Sequence, residues 1–216
     1  MKNYPDIKGV IFDFDGTLYK KVGIAFNLVK EYLPDTFNIL RERAIRRRFK
    51  GCDYPNPEEY LNAFFNDLGK KCSWTPEKTR EWYFTRYMPR YAIMLKKHYR
   101  SRKGAKEILQ FLDSPDSPLK AAIYSDYPLL KDRMEAIGLS CPQRIRLYSS
   151  HTFGAQKPAA RPLLQIAEDL NLKPHEILVI GDNRKADGQG AKNAGMRYFH
   201  IIGSKVWGKA AAMLLS

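Results

Sequence analysis

Beyond residue 101 the chain alternates between two kinds of segment, and that alternation limits its fold more than any other feature. KGAKEILQFL (103–112) has helical spacing, LKAAIYS (119–125) is a short β-rich apolar run, and PLLKDRMEAIG (128–138) is helical and closed by Gly138. RIRLYSS (144–150) is a strand, ARPLLQIAEDLNL (160–172) a helix, and EILVIGD (176–182) the clearest buried strand of the chain. ADGQGAKNAG (186–195) is a short helix closed by Gly195, and RYFHII (197–202) is a last strand. Strands alternating with helices predict βαβ units, and so an α/β fold with a parallel sheet covered by helices on both faces.

The first strand of that sheet stands apart. Val10 to Phe14 is too short for a helix and rich in β-branched and aromatic residues, as a buried strand is. Between it and residue 101 the pattern changes. AFNLVKEYL, DTFNILRERAIRRRF, PEEYLNAFFNDLG and TPEKTREWYFTRYM all place apolar residues three and four apart, with boundaries at Pro34-Asp35, Pro55-Asn56-Pro57 and Ser73 to Pro76 and with Asp35 and Thr75 as helix caps. Residues 19–100 therefore read as a helical insert, leaving 1–18 and 101–216 to form one core. At 216 residues the chain has room for both.

The net charge is +14, and residues 19–100 hold 18 Lys and Arg against 9 Asp and Glu. Such a surplus suits anionic ligands. It does not single out nucleic acid, because the arginines of RERAIRRRFK (41–50) fall on several sides of a helix, as on a solvated face. No stretch has the roughly 20 apolar residues of a membrane helix, and MKNYPDIKG lacks the apolar core of a signal peptide, so a cytoplasmic location with no membrane partner is expected. Three scattered cysteines, Cys52, Cys72 and Cys141, form no CxxC pair and fit reduced thiols. GQGAKNAG (188–195) has Asn193 where a dinucleotide fingerprint needs its third glycine.

Ligands of an open parallel sheet bind beyond the carboxyl ends of its strands. Applied here, that rule gathers Asp13 and Asp15, Ser125, Lys157 and Asp182 at one rim. Two close carboxylates raise each other's pKa. A Mg²⁺ ion relieves this, since it takes hard oxygen ligands and typically one or two carboxylates together with phosphate and water. An aspartate can attack phosphorus and form an aspartyl phosphate, while a second carboxylate protonates the leaving oxygen and later deprotonates water. Lys157 and the Ser125 hydroxyl offset charge on the transferring group. Gly16 permits a tight turn that aims backbone N–H groups at phosphate.

DFDGTL, a strand ending in Ser125, then Lys157, then GDNRKAD (181–187) resembles the four-motif pattern of the haloacid dehalogenase (HAD) superfamily, in that family's order. The resemblance implies a Rossmann-like core and, at residues 19–100, a helical cap that closes over the substrate. It makes Asp13 the nucleophile and Asp15 the general acid/base. It places Mg²⁺ on the Asp13 side chain, the Asp15 carbonyl and Asp182, and the phosphoryl group on Ser125 and Lys157 together with Gly16 and Thr17. Asp187 then orients Lys157 or a metal-bound water. The chain departs from the common pattern at Asp126, where Asn often follows the motif serine. Asp15 itself favours phosphate-ester hydrolysis over dehalogenation, because displacing halide from carbon needs no acid there. The expected activity is a Mg²⁺-dependent phosphatase, like the phosphoglycolate phosphatase branch, acting on a small phosphorylated metabolite. A phospho-accepting receiver switch, a silent binding module and a nucleic-acid phosphatase are competing readings; substrate and oligomeric state are not encoded legibly.

Overall fold

The computed structural model describes residues 6–215. Five strands, β1 (Gly9–Asp13), β2 (Lys120–Ser125), β3 (Arg146–Ser149), β4 (Ile177–Gly181) and β5 (Arg197–His200), form one sheet in the order β3-β2-β1-β4-β5. Every neighbouring pair is parallel. All residues of β1 and β4 are buried, which is why both read as unbroken apolar runs: a central parallel strand has no solvent face.

The chain runs outward from β1 through β2 to β3, then returns to place β4 on the other side of β1. That reversal is the switch point at which open α/β sheets hold ligands. Register sets what stands there. Phe12 pairs with Ile180 and Asp13 with Tyr124, so Asp13, Ser125 and the Gly181-Asp182 pair end at one level.

The segment between β1 and residue 100 holds the helices α1 (Ile24–Glu31), α2 (Thr36–Arg48), α3 (Pro57–Cys72), α4 (Pro76–Trp82) and α5 (Met88–His98). Asn56 and Thr75 cap α3 and α4 by accepting the Glu59 and Lys78 N–H groups. Asp35 makes no such cap; its carboxylate pairs with Arg86 and Arg90 instead. The spacing predicts a helix that stops at Met88, ahead of Pro89. The structure instead carries it to His98 through a π turn at Tyr83–Tyr87, where the Met88 N–H reaches back to the Tyr83 carbonyl. Widening the turn accommodates a proline without ending the helix.

The remaining helices are α6 (Ala105–Asp113), α7 (Leu130–Ala136), α8 (Ser150–Phe153), α9 (Arg161–Asp169), α10 (Gln189–Asn193) and α11 (Gly203–Leu215). The sheet's two faces feed separate apolar clusters. Ile11, Ala122 and Val179 pack with Leu163 and Ile166 of α9. Val10, Phe12, Ile123 and Ile180 pack with Ile108, Met134 and Trp207, and this second cluster continues through Phe14 and Tyr19 into Phe64, Tyr83 and Tyr87 of the helical segment. Core and helical segment thus share one apolar interior. Helix α11 has no counterpart in the sequence reading. It is held by Trp207, whose indole donates to the Lys103 carbonyl at 2.9 Å, and by buried Ala210 and Leu214. No described helix is long and apolar enough to cross a membrane.

Candidate active site

At the end of β1 the backbone turns sharply, with the Leu18 N–H donating to the Phe14 carbonyl at 3.2 Å. Gly16 sits at φ +100, and a Cβ there would lie 2.2 Å from the Asp182 Oδ2 atom and 2.8 Å from the Lys21 Cδ atom. Only glycine satisfies both the backbone conformation and the close approach of β4's carboxylate. The turn brings the Thr17 hydroxyl onto Asp13 Oδ2 at 2.9 Å. Lys157 Nζ holds the other oxygen, Oδ1, at 2.7 Å.

Lys157 is itself buried. Its ammonium donates also to Asp187 Oδ1 at 2.8 Å and to the Tyr124 carbonyl at 3.0 Å. Asp187 is fixed from behind by the Asn183 N–H, 3.0 Å from Oδ2. One oxygen from each of Asp13, Asp182 and Asp187 lies within 4.8 Å of the others. Among the described residues two ammonium groups, Lys157 and Lys21, answer these three carboxylates. The consequence is a carboxylate held against its preference. Burial, then the Asp187 charge, pushes the Asp13 pKa up despite Lys157. Burial and Asp13 do the same to Asp182. Burial opposes the Lys157 charge, yet Asp13 and Asp187 keep its pKa well above the lysine range.

The donor set fits a hard divalent cation, and Lys21 shows where the oxygens converge. Its ammonium sits 2.8 Å from the Asp15 carbonyl and 2.8 Å from Asp182 Oδ2. A positive charge therefore already stands between two of the oxygens that the resemblance assigns to Mg²⁺. Buried carboxylates and a carbonyl, short of one positive charge, suit a magnesium-type ion rather than a thiophilic one.

Asp15 is in the opposite state. Its Oδ1 accepts the Tyr19 hydroxyl at 2.6 Å and the Tyr91 hydroxyl at 3.4 Å, its Oδ2 accepts the Ser125 hydroxyl at 2.9 Å, and Arg133 Nη2 bridges both oxygens. Burial alone would raise its pKa, but the Arg133 charge and these donors bring it down to about 2. Ser125 is correspondingly occupied. It donates to Asp15 and accepts the Tyr127 N–H and Arg133 Nη1, each at 3.1 Å.

Every residue singled out in the sequence reaches this rim, in two groups: Asp13, Thr17, Lys157, Asp182 and Asp187 around the nucleophile, and Asp15 with Ser125 beside it, Gly16 lying in the turn between. Sequence reasoning missed Arg133 and Lys21. Arg133 carried a signal: in α7 it shares with Leu130, Met134 and Ile137 the spacing of the buried face, where an arginine needs a partner. Lys21, in a KK pair, had none. A cavity of about 120 Å³, lined by Asp13, Asp15, Lys157, Asp182 and Asp187, opens over the rim.

The family follows from this arrangement and from comparison together. Residues 7–195 match the model of the haloacid dehalogenase-like hydrolases, and the chain belongs to that family of hydrolases. No curated protein matches it. Solved structures similar in fold include the HAD phosphatase from Thermococcus onnurineus, 19% identical with a TM-score of 0.53, covering 91% of this chain and 86% of that one. The magnesium-bound structure of YfnB from Bacillus subtilis is 18% identical with a TM-score of 0.59, covering 90% and 88%. The L-2-haloacid dehalogenase from Xanthobacter autotrophicus is 18% identical with a TM-score of 0.55, covering 96% and 83%.

Proposed function

We propose that this hydrolase is a Mg²⁺-dependent phosphomonoesterase acting on a small phosphorylated metabolite through a phosphorylated Asp13. The observation that carries the reading is the Asp13 carboxylate at the switch point, pinned by Thr17 and Lys157 beside a carboxylate cluster short of one positive charge. Asp13, Asp182 and the Asp15 carbonyl are the groups that would hold the cation. When bound, it supplies charge neutralisation that lets an anionic nucleophile meet an anionic phosphate.

Asp13 attacks phosphorus, its oxygen forming a bond as the ester oxygen leaves with the electron pair of the broken P–O bond. Lys157 offsets charge on the transferring group. Asp15, protonated at that stage, gives its proton to the leaving oxygen and recovers one from the water that hydrolyses the acyl phosphate. Because Arg133 holds Asp15 as an anion in the resting site, that ion pair must open as the ester arrives. The phosphoryl group's own negative charge both attracts the guanidinium and raises the Asp15 pKa. Residues 19–100 form the cap over this rim, and a cavity of about 120 Å³ beneath it favours a small substrate over a folded protein.

Phosphate release from p-nitrophenyl phosphate should stop on adding EDTA and in Asp13→Asn; activity retained in both defeats the reading. The Arg133–Asp15 pair also lends weight to a second reading, dehalogenation, which needs no acid at Asp15. Halide release from a 2-haloalkanoate, with no phosphate release from any ester, would establish it.

A further inference from the structure

A second cavity of about 350 Å³ adjoins the first, sharing Asp15, Lys21, Asp126 and Tyr127 with it. Its volume lies at the lower end of small-molecule sites. Across from the rim it is lined by Arg43, Arg46, Arg47 and Lys50. These cations are not equivalent. Arg46 is buried and fully engaged: it pairs with Glu42 at 2.6 Å, donates to the Asp126 carbonyl and the Tyr83 hydroxyl, each at 2.7 Å, and stacks on Tyr127 at 4.1 Å. Arg41 and Arg48 of the same helix turn away, to Asn38 and Asp67. Arg43, Arg47 and Lys50 follow at spacings of four and three, one side of α2 and its continuation, and among the described residues no carboxylate pairs with any of them.

A further buried group in the same cavity also lacks a partner. Gln156 is 1% exposed, and its Oε1 accepts no hydrogen bond. A buried acceptor left empty costs about 1–3 kcal/mol unless a ligand or water fills it. Two carboxylates also line the cavity, and both are engaged: Asp15 by Arg133, and Asp126 by the Ser150 hydroxyl at 3.1 Å and the Lys157 N–H at 3.4 Å. The cavity thus offers unpaired positive charge and one empty acceptor, Gln156 Oε1, next to the pocket that takes the phosphoryl group.

Resting on the phosphatase reading, we propose that the leaving group of the substrate carries a second anion, carboxylate or phosphate, received by Arg43 and Arg47, with a hydroxyl or ammonium donor of the substrate facing Gln156. The nucleophile's pocket holds the group that is transferred, and the larger cavity holds the part that departs. A second anion gains two charge-assisted contacts that a neutral leaving group lacks.

Matched substrates test this. 3-Phosphoglycerate and glycerol 3-phosphate differ in a carboxylate against a hydroxymethyl group; fructose 1,6-bisphosphate and fructose 6-phosphate differ in a second phosphate. The member with the extra anion should have a kcat/KM higher by about ten- to a hundred-fold in at least one pair, and the pair that responds identifies the anion. In Arg43→Gln/Arg47→Gln that ratio should fall to near one, chiefly through KM, and Arg47→Lys should recover part of it. Ratios near one in the native protein overturn the proposal, as does a high ratio that the double variant leaves unchanged. Preference for a 5′-phosphorylated oligonucleotide over both pairs overturns it in favour of a polymer. p-Nitrophenyl phosphate separates the two levels: phosphate release from it with flat ratios sinks this inference alone. No release from any ester sinks the phosphatase reading and this inference with it.

Discussion

The sheet rim and helix α2 face each other across the same cavity, and they treat charge in opposite ways. At the rim four carboxylates have a cation within hydrogen-bonding distance: Lys157 on Asp13 and Asp187, Lys21 on Asp182, Arg133 on Asp15; Asp126 instead accepts the Ser150 hydroxyl and the Lys157 N–H. On α2 and just beyond it the cations that line the cavity, Arg46 excepted, have no such partner among the described residues. Asp13, Lys157, Asp187 and Arg133 are buried, so their charges had to be matched for the chain to fold. Arg47 and Lys50 are exposed and cost the fold little when left unmatched. One side of the cavity therefore carries charges that structure requires, and the other carries charges that structure leaves free for something else.

Substitutions at the rim and on α2 should separate accordingly. The largest effect belongs to Asp13→Asn, which should lower phosphate release at least about 10⁴-fold, the scale of losing a nucleophile; steady-state kinetics with an intact thermal transition check it. Arg133→Ala comes next and should act on stability. It strands a buried carboxylate and should cost about 3–5 kcal/mol in urea unfolding, and a loss under about 1 kcal/mol would mean that Asp15 is solvated after all. The pH dependence has a definite sign. With its native pKa of about 2 below the ordinary 3.8, Asp15 contributes stability that is complete above the ordinary value and disappears as pH falls through the native one. Arg133→Ala should remove that part of the acid transition.

Lys21→Met should have an intermediate effect and should strengthen binding, raising Mg²⁺ affinity by roughly tenfold in calorimetry by removing a charge that competes for the Asp15 carbonyl and Asp182. Weaker binding would show that Lys21 supports the ion instead of standing in for it. The smallest effect is expected on α2, where Arg47→Gln should shift unfolding by less than about 0.5 kcal/mol. A larger loss would erase the contrast between the two sides.

Much of the rim could be read in the sequence because its residues sit at strand ends, where a short apolar run stops and a charge begins. Asp13, Ser125 and Asp182 are legible for that reason, and β1, β2 and β4 lie within a residue or so of where the pattern predicts them. Strand β3 is shorter than predicted, because Ser150 opens α8. The helix through Pro89 was obscured by the ordinary rule that proline stops helices. Helix α11 was obscured by Gly203 and Gly208 in a short apolar segment whose partners, near Lys103, lie about half the chain away.

By itself, then, the order of residues determined the parallel sheet, its switch point and the carboxylates placed there, since strand periodicity and chain direction are local properties that survive without knowledge of neighbours. Which cation faces which carboxylate was decided only when the chain closed on itself. Arg133 meets Asp15 across 118 positions and Lys21 meets Asp182 across 161, and α2 presents its unpaired arginines to the rim only through packing. Ion pairs between distant segments depend on distances of a few ångströms that no spacing along the chain encodes.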